Sequence, residues 1–458
     1  MTVLDCMFSR IMPTLQQIER ERQHHGNETC HWIDFVVALI FFFTKGCDSA
    51  TDWARALDDA DPALNLPKIP RSTLSSKFYD FDPQLLHQVI NRVLMQMFPM
   101  NPDLALIGQL NAVDGSFFTV IGGIFNRTKR EWSSQVKLHL NLNLNCMLPV
   151  DFISDYATSD ERAAFLRMID RGVTYVVDRG YMAFYVLRRV IEQEAFIVMR
   201  VYESVVFTTI ESLPVTLPNH MNHQWANVRD NLVRSNNRDA EGLIFRLVEC
   251  TIGEVTYRLM TNRFDVSTYH ILLIYAYRWQ IELMFRFLKQ TLGCKRVITQ
   301  SPRGVEIFFA GMLLTALLEA YFKVDCLALE GHVAPGVSQS IDDSAKDTIP
   351  HDTALETTEG DCTRIMPANT SHSLTYHQTQ PEFRQSPQRK IQTSTDIERP
   401  TIKVDVAVFM DDLNQKTALF WKIPKQWIET LRDCMYRPFT PEIVSKLNKR
   451  ARIYICSP

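Results

Sequence analysis

Two aspartates each stand at the close of a short apolar run: Asp114 in Asn-Ala-Val-Asp-Gly-Ser and Asp178 in Tyr-Val-Val-Asp-Arg-Gly-Tyr. A carboxylate that closes a buried strand sits at the sheet edge, where it can face solvent or a metal without being surrounded by hydrophobes. The same position also suits a turn former or a helix cap. A third carboxylate, Glu282, belongs to the series Tyr275, Arg278, Glu282 and Lys289. At about 100° per residue these four fall within about a 60° sector of one helix face. That stripe is either a solvated face holding an Arg278–Glu282 ion pair one turn apart or a specific polar surface. The surrounding Leu, Ile, Phe and Met residues and Trp279 favour the second. Three carboxylates brought together repel one another and raise their own pKa values. A hard divalent cation relieves that repulsion. An arginine fork and a lysine point charge beside them suit phosphate oxygens.

The elements that must position these groups follow from periodicity. Leu110 to Val113 reads as a strand ending at Asp114, and Phe117 to Ile121 as a second strand after the turn-prone Gly115-Ser116. Residues 136–146 alternate strictly over eleven positions, the strongest strand signal in the chain. A helix beginning near Thr158-Ser159-Asp160-Glu161 follows, then a strand from Val173 to Val177, a helix from Tyr181 to Glu192 and a strand from Phe196 to Val201. The order β-β-β-α-β-α-β is what a ribonuclease-H-like core shows. Several strands fill 203–264. One strong helix then runs from about Ser267 to Leu292 and a second from Gly304 to Phe322. The expected fold class is therefore α/β: a ribonuclease-H-like catalytic core over 103–325 with a β-rich insertion at about 203–264. It is preceded by an all-helical N-terminal domain, 1–102.

The segments carrying Asp114, Asp178 and the Tyr275–Lys289 helix together resemble the transposases of bacterial insertion sequences in the family numbered four, with their tyrosine-arginine-glutamate-lysine signature. The resemblance covers residues 105–325. The 64 residues between the aspartates fit it, as do the 104 between Asp178 and Glu282, since members fill the second gap with β-structure. It implies a D-D-E enzyme that cleaves and joins DNA strands at transposon ends. Asp114, Asp178 and Glu282 would be catalytic and hold two Mg²⁺ ions, with Mn²⁺ as a substitute. Tyr275, Arg278 and Lys289 would contact the DNA. It further implies double-stranded transposon ends and target as partners, a homodimer in the synaptic complex, and association with the bacterial nucleoid when bound. A nuclease that cuts without joining and a catalytically silent DNA-binding relic are the competing readings. Arg127, Lys129 and Arg130, with Lys137 and His139 on a strand's polar face, are further candidates to track DNA.

Composition neither supplies nor forbids this. With 46% hydrophobic residues and a net charge of −3 the chain is an ordinary globular one, so any basic surface must be local. The ten cysteines lack a Cys-x-x-Cys pair and read as reduced thiols. His24, His25, Cys30 and His31 have metal-ligand types but no zinc spacing, and read as a polar loop. Ile33 to Phe43 is too short for a bilayer, and Val305 to Phe322 carries Glu306 and Glu319, so it reads as a buried helix. No signal peptide is visible, and the expectation is a soluble, cytoplasmic protein without a membrane partner. A helix beginning near Arg71, with Ser72 or Thr73 as cap, suits either phosphates or an exposed polar turn. Residues 333–400, dominated by Ser, Thr, Gln, Asp and Pro, read as a disordered linker. Residues 401–458 read as a small C-terminal module of unknown role.

Overall fold

A long apolar helix and a wide mixed sheet organise this fold. The computed structural model describes residues 2–24, 26, 28–94, 107–126, 129–217, 226–252, 255–331, 425–435, 437–438 and 440–451. These belong to one compact unit. The expected linker over 333–400 and much of 401–458 lie outside the described residues, as do His25 and Arg127.

Helical spacing at the start of the chain yields α1 (Val3–Ser9), α2 (Met12–Glu21), α3 (Trp32–Lys45), α4 (Ala50–Asp58), α5 (Arg71–Asp80) and α6 (Gln84–Val89). Pro70, not Ser72 or Thr73, occupies the N-cap of α5. The reason is that proline keeps the residue before it out of the α region, so the helix begins directly after Pro70 and Ser72 and Thr73 fall inside its first turn. α3 is apolar on nearly every face. It is buried against α11 (Pro302–Gly331), whose Phe308, Leu313 and Leu317 are fully enclosed. Where the two helices meet, Gly311 is required: a Cβ there would meet Leu39 Cδ2 at 2.4 Å. Among the described residues α11 has the one segment long and apolar enough to cross a membrane, and it is buried within the fold. Helices α12 (Lys425–Cys434) and α13 (Pro441–Ala451) close the same core. Arg432 donates to the carbonyl of Thr44 at 2.7 Å, and Asn448 to that of Cys326 at 2.6 Å.

The sheet begins with β1 (Leu110–Asn126), β2 (Glu131–Asn143) and β3 (Leu148–Tyr156), a meander. It continues with β4 (Thr174–Val177) and β5 (Phe196–Arg200). Helix α7 (Glu161–Leu166) precedes β4, and α8 (Phe184–Glu192) joins β4 to β5. Spatial order is β3-β2-β1-β4-β5, with β4 parallel to β1 and β5 parallel to β4. The strands of 203–264 do not form a separate body. β6 (Thr208–Ser212), β7 (Ala226–Arg234), β8 (Phe245–Ile252) and β9 (Val255–Thr261) extend the sheet, in the order β9-β8-β7-β6, from the free edge of β5.

Two sequence expectations fail here for a shared reason. Gly115-Ser116 is not a turn: β1 runs through it unbroken, because β2 pairs along it from Asn111 to Thr119. The count of three leading strands survives only because β3, which the sequence reading passes over, takes the third place. Pro149, Asp151, Ser154 and Asp155 disguise its alternation, and Pro is tolerated there because β3 lies at the sheet edge.

Candidate active site

β1 has two edges. β2 fills one along nearly its whole length. The other is shared: β4 pairs with Leu110–Ala112, and the two-residue β10 (Arg296–Val297) pairs with Thr119 and Val120. Between them a notch opens opposite residues 113–118, and Asp114 lies in it. The β1–β4 register matches Ala112 to Val176. Extended two residues further, it sets Asp114 beside Asp178, so the 64-residue spacing of the aspartates is the strand register itself. Asp178 follows the last residue of β4 and begins the single 3₁₀ turn Arg179–Tyr181. Asp114 is therefore a mid-strand residue and only Asp178 is strand-terminal.

The helix carrying Tyr275, Arg278, Glu282 and Lys289 reaches this notch in three pieces. α9 (Thr268–Tyr277) is capped by Ser267, Arg278 forms a joint, α10 (Trp279–Arg286) follows, and residues Phe287–Thr291 widen into a π-turn. The even 100° stripe expected from sequence is therefore broken. Tyr275 O–H still donates to Asp178 Oδ1 at 3.3 Å, and Arg278 Nη2 donates to Glu282 Oε1 at 2.6 Å. The guanidinium also lies 5.7 Å from the Tyr275 ring centre. Lys289, beyond the π-turn, donates to Ser116 Oγ at 2.7 Å and lies over the Phe118 ring. Ser116 and Phe118 share a face of β1 with Asp114 by strand alternation. The structure thus brings Asp114, Asp178, Tyr275, Arg278 and Glu282 into one electrostatic neighbourhood, with Lys289 further along the same strand face.

Burial pushes the Asp114 carboxyl up to about 6, opposed by the Gly115 N–H at 2.8 Å and the Arg278 charge, and reinforced by Glu161 and Glu282. Burial likewise raises the Tyr275 phenol to about 12. Against its own burial, Arg278 is held protonated by Tyr275, Glu282 and Asp178. Its Nε–H is buried and has no partner among the described residues. The Tyr181 hydroxyl is also buried without a partner, and its phenol is pushed well above the ordinary range by burial and by Asp114, Glu161 and Asp178. Neighbouring carboxylates with unpartnered donors beside them suit cations and phosphate oxygens.

Sequence reasoning missed Glu161. It starts α7, reaches β1 from the face opposite Asp114, and accepts from Lys137 Nζ at 3.2 Å. A Cβ on Gly115 would meet Glu161 Oε1 and His139 Nδ1, each at 3.3 Å, so glycine after Asp114 leaves room for this second layer. Lys137 and His139 are consequently not solvent-facing cations. Both are buried, and burial lowers His139 to about 4. The paired register of β1 and β2 fixes this, since Lys137 and His139 oppose Phe117 and Gly115. Lys129 and Arg130 are exposed. The signal that pointed to Glu161 was its place at a helix start after a strand, which reads equally as a cap.

Residues 108–318 match the family model described as the transposase DDE domain. Over 181 residues the chain is 26% identical to y4zB of Sinorhizobium fredii, a protein described as a transposase, covering 39% of this chain. The chain spans about half the length of that relative, 50%. Over 299 residues it is 24% identical to a Geobacillus stearothermophilus protein described as the transposase of insertion sequence element IS5377, covering 61% of this chain and 74% of that one. Among solved structures, a piggyBac transposase synaptic complex with hairpin DNA has a TM-score of 0.35 at 10% identity, over 71% of this chain and 74% of that one. That likeness is too slight to bear on the fold.

Proposed function

We propose that this chain is a transposase of the insertion-sequence family numbered four, which cleaves DNA at the terminal inverted repeats of its element and joins the freed ends to a target. The observation that carries this reading is the convergence on one notch of Asp114 and Asp178, neighbours by strand register, with Tyr275, Arg278 and Glu282 from one helix. The match of residues 108–318 to a transposase DDE domain supports it independently. A ribonuclease-H-like core is supported by the order β3-β2-β1-β4-β5 with only β2 antiparallel to its neighbours on both sides.

Asp114, Asp178 and Glu282 are the residues to hold two divalent ions. The donor types fit: three carboxylates are hard oxygen ligands, and among the described residues Asp114 accepts one hydrogen bond, from Gly115. When bound, Mg²⁺ or Mn²⁺ supplies activation of the attacking oxygen and stabilisation of the leaving one. The chain's own residues do the positioning. Arg278 presents the fork donors that Glu282 leaves unused to the phosphate of the scissile end, and Lys289 holds a phosphate further along. Tyr275 fixes the Asp178 carboxylate by its hydroxyl and stiffens the Arg278 plane with its ring. Burial around Asp114 excludes water and strengthens each of these charge interactions. Double-stranded DNA, as ends and target, is the substrate, and two chains synapse a pair of ends.

The test incubates purified protein with labelled end-containing duplex, a supercoiled target and Mg²⁺. Joined products demonstrate transposition. Nicks without joined products would instead favour a nuclease, and binding without nicks a silent relic.

A further inference from the structure

Four side chains outside the notch form a second site, at the corner between α2 and α3. Glu19 lies on the last turns of α2, His24 and Glu28 on the connecting loop, and His31 in the N-cap position of α3, where its side chain makes no capping bond. His24 Nε2 lies 2.9 Å from the Glu19 carbonyl oxygen and can only donate to it, which leaves Nδ1 with its lone pair. That nitrogen faces Glu19 Oε1 and Glu28 Oε2, each 3.8 Å away, and His31 Nδ1 lies 3.5 Å from the same Glu19 oxygen. The ligand atoms of Glu19, His24 and His31 all lie within 4.8 Å of one another.

These separations are too long for hydrogen bonds. They are close to the spacing of donors around one ion: at zinc–ligand distances of about 2.0–2.2 Å, tetrahedral donors stand about 3.4 Å apart. Glu28 adds an independent sign. Its side chain is only 7% exposed, yet Oε2, the atom turned toward His24, has no hydrogen-bond partner among the described residues. Arg22 donates at 2.8 Å to Glu28 Oε1, the oxygen turned away from His24, and it donates to both oxygens of Glu19, to Oε2 at 3.0 Å and at 2.8 Å to Oε1, the oxygen that also faces the two histidines. Two carboxylates and one guanidinium leave one negative charge with neutral imidazoles, so a cation is electrostatically welcome. The hydrogen bond behind His24 and the arginine behind Glu28 are what orients metal ligands from outside the coordination sphere. Cys30 takes no part: its thiol is buried, donates to the His31 carbonyl, and is pushed up to about 11 by burial.

We propose that Glu19, His24, Glu28 and His31 bind a structural Zn²⁺ ion that staples α2 to α3. Two imidazole nitrogens and two carboxylate oxygens suit zinc, and no covalent chemistry is involved. The site is separate from the notch and stands whether or not the chain transposes DNA.

The experiment uses the full chain, stripped with chelator, loaded with ZnCl₂ and desalted, with zinc per chain measured by atomic emission and thermal midpoints by calorimetry. Wild type should retain one zinc and melt higher with it, because a ligand of the native state stabilises by mass action. His24→Ala/His31→Ala should retain none and show no zinc-dependent shift; both histidines are substantially exposed, so that variant should fold. Glu28→Gln should weaken zinc binding at least about tenfold. Asp114→Asn should leave retention at one, which separates this site from the notch. No retained zinc in wild type, or equal retention in the double-histidine variant, overturns the proposal.

Discussion

Asp114 carries a cost that the metal-free fold cannot avoid. Its folded pKa, about 6, is above its ordinary value of 3.8. The stability tied to its protonated form is therefore complete below about pH 4 and is lost as pH rises through about 6. At pH 7, without divalent ions, Asp114→Asn should raise stability by on the order of 1–3 kcal/mol while abolishing cleavage; urea unfolding with chelator present reads the first and an end-cleavage assay the second. An unchanged or lowered stability contradicts the burial argument. Arg278 is next. Its bond to Glu282 means the ion pair foreseen from the one-turn spacing does form, but the fork donors that Glu282 leaves unused remain for phosphate. Arg278→Lys, which keeps charge and loses the fork, should lower cleavage by one to two orders of magnitude, matching the about 1.5–3 kcal/mol of a charge-assisted bond. Lys289→Ala should lower affinity for correct and scrambled ends alike and flatten the salt dependence by about one phosphate contact. An unchanged slope would leave Lys289 with Ser116 as its sole business. That Tyr275, Arg278 and Glu282 are neighbours was legible because residue type and helical spacing place them together. Glu161 was not, because a glutamate on another helix, behind the strand, becomes a neighbour only once β1 and β2 pair.

Among elements, the strands of 203–264 act on the site through α9. Asp230 on β7 is almost wholly buried. It accepts from Arg246 Nε at 2.8 Å and from Thr268 Oγ1 at 2.6 Å, and Arg246 also donates to the Arg263 carbonyl at 3.3 Å. Thr268 is the first residue of α9, so this network fixes where the helix bearing Tyr275 begins. Removing one member leaves a buried guanidinium without its counter-charge. Asp230→Ala should thus destabilise by about 3–5 kcal/mol, measured by denaturant unfolding, and should depress cleavage in the surviving folded fraction. A change under about 1 kcal/mol would mean the extended sheet does not position the helix. Periodicity announced β2 and α9 plainly. It misplaced the end of the first strand because Gly115-Ser116 carries turn residues for a packing reason, the room needed by Glu161 and His139, and it could not show the joint at Arg278 or the π-turn, which depend on the sheet beneath.

Across the molecule, one long helix ties the sheet to the terminal helices, and it carries a buried acid. Both carboxylate oxygens of Glu319 lack partners among the described residues; burial raises the group to about 8, with Arg432 opposing. A raised folded pKa means stability falls as pH climbs through about 8. Glu319→Gln should flatten that fall, which runs from about pH 5 to about pH 8, in urea titrations, and an unchanged slope there would show that Glu319 is not its source. The proposed chemistry requires Asp114, Asp178 and Glu282 to act as a unit with divalent ions, and the most direct measurement is the cleavage rate of end-containing DNA by Asp114→Asn, Asp178→Asn and Glu282→Gln in Mg²⁺ and in Mn²⁺, with end binding followed in parallel. Each variant should bind ends nearly as wild type and cleave at background in both metals, and the double variants should be no worse than the singles; wild-type cleavage by any one of the three would contradict the assignment.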